Sequence, residues 1–531
     1  MDESLFEFAA SGVLILVVAV FIRQRGWGIA LPLISLGAII GIAPIGPDAP
    51  PEPEVILIVL LAPLVFGEAL GSSYMDLRRV SRPVLALAVG LVLTATFVIG
   101  GVVSFVVAMP IAIALALGAI LAPTDAVAVS TIAKRASIPR RLVSILEGES
   151  LVNDGTGLTA LRVAVMAAVA GSVTVIGAMG MFAVAVSVGL LVGAIAGWGM
   201  SVVLRRSRDL VAANSLILVA PFLIYLLAER FEGSGILAVV VAALWVANAQ
   251  HADPGWSGRL QGTAVWRHLT FILQTFAFYL IGLELPEVLG RLSNEDMRLV
   301  LILVPLVLVT LIATRSIFVA LMVAFERTRD RRKGASQEQR KQLGRQAAVL
   351  AWAGARGPVS GLAAFSLPLV VASGDPFPYR DVLLATTFVI IVLSLLVSLT
   401  VAPLARAMGI SSDDDTELAR TMDAALARAA LARLDAAVTE ADAEENSIPQ
   451  EIVDRLRRDT QHRVDRARPQ EDASTTQEIA THTLIQLART MVRAEQEELV
   501  RLRDEEGYPD ALVRPKLHDL DIRLQALGTE R

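Results

Sequence analysis

The 531-residue sequence contains no cysteine, so disulfides and thiolate metal sites are excluded and the redox compartment is left open. Its five histidines, His251, His268, His462, His482 and His518, are scattered without the spacing of a metal-ligand set. No G-x-x-x-x-G-K-[ST] stretch is present, which argues against an ATP-driven pump built on a phosphate loop. No basic patch suggests nucleic acid as a partner. The net charge of −5 is small, and it hides an asymmetry, because charge is sparse before residue 405 and dense after it. The first residues, M-D-E-S-L-F-E-F, are acidic, unlike the positively charged start of a secretory signal, so the first apolar run is expected to be retained.

What the chain has in abundance is apolar length. Hydrophobic residues make up 54% of it, and the mean hydropathy is +0.61, which indicates a polytopic all-α membrane protein. Thirteen runs are candidates to cross about 30 Å of hydrocarbon, at approximately 8–22, 26–43, 54–70, 83–108, 110–133, 142–170, 174–204, 212–230, 235–250, 264–288, 297–325, 347–372 and 382–405. Alternate connections are basic. One set carries Arg23 and Arg25, then Arg78, Arg79 and Arg82, then Lys134, Arg135, Arg140 and Arg141, then Arg205, Arg206 and Arg208, then Arg259 and Arg267, and a dense cluster from Arg327 to Arg345. The opposite set carries only Arg230, Arg291, Arg298 and Arg380. Positive charge stays in the cytoplasm, so the N-terminus is expected outside and the C-terminus in the cytoplasm.

Ionisable groups inside this apolar length mark the candidate site, because a carboxylate near a bilayer centre costs roughly 2.5 kcal/mol or more unless it has a purpose. They concentrate between Leu121 and Leu158, in L-A-P-T-D-A-V-A-V-S followed by I-L-E-G-E-S-L-V-N-D-G. Ser150, Asn153 and Asp154, at i, i+3 and i+4, are expected on one helical face as a hard-oxygen site for a small desolvated cation. Asp154 is able to hold a proton or a cation but not both, and that competition is the expected coupling. Thr124 and Asp125 are expected opposite it, with backbone carbonyls near Thr124 open to a cation. Asp125 either compensates a half-helix N-terminus facing it or simply ties two segments together.

Two deep arginines need partners: Arg356 is assigned to Asp125 and the break in its own span, Arg315 to Glu149. Glu68, in L-V-F-G-E-A-L, either admits cations to the site or is an interfacial carboxylate beside Arg78 and Arg79. Glu284 is expected near the outer surface, and Arg162 is read as a snorkelling or helix-pairing residue.

The fifth span breaks at A-P-T-D and the twelfth at W-A-G-A-R-G-P-V-S-G. Interrupted helices at matching places in two halves point to inverted repeats and two crossed broken helices. After Arg406 the composition changes to Ala, Arg, Glu, Asp and Leu at helical spacing. The expected organisation is therefore a transmembrane domain over 1–406 and a cytoplasmic helical tail over 407–531.

The segments T-D-A-V-A-V-S, E-S-L-V-N-D-G and G-A-R-G-P-V-S, with F-G-E-A-L before them, resemble the signature segments of the bacterial NhaP-like branch of the sodium/proton exchanger family. The resemblance covers residues from about 10 to 405. It implies a thirteen-helix homodimer of the NhaA-like antiporter fold, in which a core domain slides as an elevator past a dimerisation domain. It also implies that Asp154 carries the cation and the proton, that Ser150, Thr124 and Glu68 help to coordinate Na⁺, and that Glu149–Arg315 is a structural ion pair. Asn153 before Asp154 matches the electroneutral members and would link the sixth helix to the crossing. Arg162 and Glu284 depart from the apolar pattern expected around them.

The expected function is electroneutral exchange of one Na⁺ for one proton across the bacterial plasma membrane, with a role in pH homeostasis. Na⁺ or Li⁺ and protons are the cargo, and no enzyme chemistry or cofactor is expected. A K⁺/H⁺ antiporter is the nearest rival. A cation channel is disfavoured because a single buried carboxylate suits an occluded site rather than an open pore, and a membrane sensor would leave Asp154 unexplained.

Overall fold

The computed structural model describes residues 3–43, 53–125, 139–170, 174–207, 209–251, 256–332, 337–371 and 374–410, with short helical stretches between 425 and 524. Among these residues the chain is all-helical, apart from an isolated β-bridge between Val370 and Pro376. It divides into two compact units, Met1–Asp413 and Asp414–Arg531.

The first unit carries α1 (Glu3–Gln24), α2 (Ala30–Ile42), α3 (Leu57–Leu70), α4 (Ser81–Val107), α5 (Ile111–Leu121), α6 (Arg140–Ala170) and α7 (Val175–Arg206). It continues with α8 (Leu210–Arg230), α9 (Gly235–His251), α10 (Trp256–Arg291), α11 (Asn294–Arg332), α12 (Gln337–Trp352), α13 (Pro358–Phe365) and α14 (Arg380–Ser398). Six helical stretches among the described residues are long and apolar enough to cross a membrane, and five shorter ones are apolar. Helix is the expected outcome, because in hydrocarbon every backbone N–H and C=O must find its partner within the chain. The outward faces are apolar as well. Phe105, Ile176, Val211 and Phe325 are all exposed, a surface that only lipid or another apolar partner can cover. The chain is a membrane protein.

Packing relies on close backbone approach. On α7 the glycines at 189, 193 and 197 form a stripe, and a side chain at any of them would run into Ser234, into Ala238 on α9, or into Ala242 and Trp245 further along it. This is how apolar helices associate where water offers no driving force. On α6, Gly157 packs in the same way against Pro123.

Two interruptions shape the centre. The fifth apolar run is helical only to Leu121 and then extended through 123–125, and its continuation over 126–133 lies outside the described residues, as do Lys134 and Arg135. The twelfth run differs from its sequence bounds of 347–372. Helix starts earlier, at Gln337, stops at Trp352, and resumes at Pro358 as the two-turn α13. Proline at the first helical position suits a helix start and cannot continue one, which is why the break falls there. The two extended pieces meet, with the Asp125 N–H donating to the Ala355 carbonyl at 2.8 Å.

In the second unit the described stretches are helical, and ion pairs join some of them, Arg457 to Asp435 at 2.7 Å and Arg523 to Glu495 at 3.8 Å. Much of the periodic segment 484–503 lies outside the described residues.

Candidate functional site

α6 is long enough to cross a membrane but is polar through its middle, where Glu149, Ser150, Asn153 and Asp154 are all buried. The helix distributes these groups to two sides. With 100° per residue, Asn153 and Asp154 lie 100° apart, one on either side of Ser150. Ser150 and Asp154 line a small cavity together with Glu68, Pro123, Thr124, Asp125, Gly357, Val359 and Ser360, with room for about one water-sized sphere. Asn153 is not among the lining residues. Its Nδ2 donates at 3.1 Å to both the carbonyl and the hydroxyl of Thr124. The three side chains span one 100° arc of the helix, as their spacing implies; within it the amide fastens the sixth helix to the first break, as expected of Asn153, and the hydroxyl and carboxylate line the cavity.

Glu149 and Arg315 are joined by two hydrogen bonds. Arg315 Nη1 donates to Glu149 Oε1, and Nη2 donates to Oε2 at 3.0 Å. Their side chains are 1% and 3% exposed. Arg315 also donates to the carbonyls of Leu350 at 3.1 Å and Ala353 at 3.3 Å, while Glu149 Oε1 accepts from the Thr124 hydroxyl at 2.9 Å. A planar guanidinium that meets a carboxylate with two parallel bonds is the geometry that tolerates burial. One chain of contacts, Arg315–Glu149–Thr124–Asn153, thus ties α11, α6, the first break and the end of α12 into a frame.

Arg356 bridges the two breaks, the place expected of it. Its Nε donates to the Leu121 carbonyl at 2.9 Å and its Nη1 to the Gly354 carbonyl, while its backbone N–H donates to Ser394 Oγ at 3.0 Å. It is tied to the first broken helix through the carbonyl exposed where α5 stops. Leu121 sits at the C-terminal end of a helix, where carbonyls have no partner inside the helix, so a cation is well accommodated there.

Asp125 sits against Gly357, the residue just before α13. A side chain at Gly357 would collide with the Asp125 carboxylate. The carboxylate therefore lies against the N-terminal end of that half-helix, where its negative charge opposes the helix dipole.

Glu68 is half-buried, and its Oε1 accepts from Gln274 Nε2 of α10 at 3.1 Å. It lines the cavity. Arg162 takes the helix-pairing role: it reaches Glu229 Oε2 at 2.8 Å and the Gly233 carbonyl at 3.1 Å, and so pairs α6 with the end of α8 and the α8–α9 connection. Glu284 is buried near the end of α10, 3.9 Å from Arg291.

Two residues at the site carried no charge to reveal them. Gln274 is a lone amide in the apolar stretch F-I-L-Q-T-F, and its sequence signal was that polarity alone. Ser360 lies inside the G-A-R-G-P-V-S segment but reads there as one more small residue.

The sodium/hydrogen exchanger transmembrane family profile matches residues 12–407. An uncharacterized Na⁺/H⁺ exchanger of Mycobacterium tuberculosis is 32% identical over 499 residues, which is 92% of this chain and 90% of that protein. A sodium, potassium, lithium and rubidium/H⁺ antiporter of Bacillus pumilus is 30% identical over 408 residues, 74% of this chain and 60% of that one. The Na⁺/H⁺ antiporter NhaP of Pseudomonas aeruginosa is 31% identical over 361 residues, covering 66% and 81%. Among solved structures, the sodium proton antiporter MjNhaP1 of Methanocaldococcus jannaschii superposes with a TM-score of 0.61 at 19% identity, over 76% of this chain and 98% of that one, so the fold is shared. With the broken helices, the buried carboxylates and these relatives together, the chain belongs to the sodium/hydrogen exchanger family as a bacterial NhaP-like monovalent cation:proton antiporter.

Proposed function

We propose that this protein is an electroneutral Na⁺/H⁺ antiporter of the bacterial plasma membrane, in which Asp154 alternately carries one cation and one proton. The observation that carries the reading is the small cavity beside the two breaks, where Asp154, Ser150, Thr124 and Glu68 all present oxygen. The carboxylate of Asp154 supplies charge to a desolvated Na⁺, while Ser150, Thr124 and Glu68 replace part of its water shell. A proton on Asp154 removes that charge, so the two cargoes exclude one another and transport is exchange rather than leak. Asn153, where a second carboxylate would add charge, holds Thr124 instead, which supports one-for-one stoichiometry. Asp125, Glu149, Arg315 and Arg356 are the supporting frame.

On this reading, thirteen membrane helices with inverted repeats form residues 1–406, with the N-terminus outside, and residues 407–531 are a cytoplasmic tail. The protein works as a homodimer whose core bundle moves as an elevator and serves pH homeostasis. Because the Bacillus relative is named for K⁺ and Rb⁺ as well as Na⁺ and Li⁺, K⁺/H⁺ exchange at the same oxygens is the second reading. Proteoliposomes with a trapped pH indicator test both. Added Na⁺ is expected to drive proton efflux that is indifferent to membrane potential and lost in Asp154→Asn. Flux that survives in Asp154→Asn sinks the site, flux that follows voltage sinks the stoichiometry, and an effect of K⁺ equal to that of Na⁺ favours the second reading.

A further inference from the structure

The cavity has four walls. α6 provides Ser150 and Asp154, the first break provides Thr124 and Asp125, and α3 provides Glu68. The fourth is the half-helix α13, which contributes Val359 and Ser360, together with the residue before it, Gly357. On that wall Ser360 is the only side chain with a polar atom. It is 2% exposed and lines the cavity beside the carboxylates. Burying a hydroxyl costs desolvation free energy that an ion at this oxygen would offset. Ser360 is the third residue of that half-helix, directly after the break, so its position follows from where the helix resumes at Pro358.

Resting on the reading of the cavity as the cation site, we propose that Ser360 is a further ligand of the transported cation, contributing its hydroxyl oxygen from the second broken helix. A small cation stripped of water needs oxygens on every side, and without Ser360 the α13 wall offers Gly357 and Val359, neither of which has a polar side chain. The consequence is that both broken helices hold the ion, Thr124 from the first and Ser360 from the second. A hard oxygen here also favours Li⁺ and Na⁺ over softer monovalent ions.

Full-length protein in proteoliposomes tests this with Ser360→Ala, Ser360→Cys and, in parallel, Asp154→Asn, using Na⁺, Li⁺ and Tl⁺ as the cations. Ser360→Ala is expected to raise KM for Na⁺ and Li⁺ about five- to tenfold, the loss of roughly one ligand interaction, with kcat within about twofold. Ser360→Cys, nearly the same size but with soft sulfur, is expected to raise KM for Li⁺ and Na⁺ while sparing Tl⁺. A purely structural serine would change all three ions together, and that result overturns the proposal. Should Ser360→Ala lower yield, protection of the purified variants against heat by added Na⁺ supplies the same comparison, with the half-protecting concentration expected to rise about five- to tenfold. Unchanged KM and unchanged protection in Ser360→Ala, with transport abolished in Asp154→Asn, means that Ser360 is no ligand although the site stands. Transport that persists in Asp154→Asn overturns the underlying site and this proposal with it.

Discussion

Glu149 and Arg315 allow the frame around the site to be tested by arithmetic. Glu149→Gln keeps the shape of the side chain but leaves the Arg315 guanidinium at 3% exposure with only the Leu350 and Ala353 carbonyls as acceptors of full strength. Removing one partner of a buried pair costs about 3–5 kcal/mol, because the remaining charge stays desolvated. For a unit of about 400 residues, at roughly 2.1 cal/mol/K per residue, the unfolding entropy is near 0.8 kcal/mol/K, so a loss of about 4 kcal/mol lowers the midpoint by about 5 °C. Arg315→Met leaves Glu149 with the Thr124 hydroxyl alone and is expected to cost as much. The double variant Glu149→Leu/Arg315→Met removes both charges and fills the space with apolar atoms, so most of the loss is expected to return. Intrinsic-fluorescence melting of the purified protein in one detergent gives all four midpoints. Single variants within 1 °C of wild type, or a double variant whose shift is the plain sum of the singles, would refute the reasoning.

Other perturbations have equally definite outcomes. Gly357→Ala places a methyl group against the Asp125 carboxylate, so a loss of transport and a midpoint several degrees lower are expected; an unchanged melting curve would show that the two breaks are not in contact. Gln274→Leu removes the donor to Glu68 and is expected to raise KM for Na⁺ about fivefold with a folded protein, read from cation titrations of transport. Gly193→Leu, which forces α7 away from Ala238, is expected to abolish stable expression, whereas Gly180→Leu, with open space around it, is not. Arg162→Gln breaks a pair about one-third exposed on each side, so it is expected to cost about 1 kcal/mol or less, a midpoint shift near 1 °C; a shift of several degrees would mean that this contact matters far more than its exposure allows.

The site was legible where charge stood inside apolar length, because burial makes each such residue expensive and therefore conspicuous. Asp154, Glu149 and Arg315 announce themselves in this way, and the two Pro- and Gly-containing interruptions mark the breaks by backbone chemistry alone. What depends on rotation about a helix axis was harder to read. Spacings of three and four residues put Asn153 and Asp154 within one 100° arc about Ser150, and only the structure shows that, inside this arc, the amide goes to Thr124 and the carboxylate to the cavity lining. The Leu121 acceptor of Arg356 was not legible for a related reason: side-chain charges are visible in a sequence, while a helix-end carbonyl becomes an acceptor only when the helix stops. Ser360 and Gln274 carry no charge, so nothing in composition separates them from the serines and amides of ordinary helix surfaces.

The third helix has a feature whose consequence is one of phase. Residues Leu57–Leu61 are wound as a π-helical stretch directly before the α-helical turns that present Glu68, and such a stretch accommodates one residue more than regular winding would. Its effect is to set the angular position of everything downstream: winding the same residues as regular α-helix would turn Glu68 by roughly 100° relative to the preceding helix. The carboxylate would then face away from the cavity and from Gln274 with every side chain intact. The direction of that carboxylate is thus stored in how the backbone before it is wound, so a regular helix at this point would misdirect it as surely as replacing the glutamate would remove it.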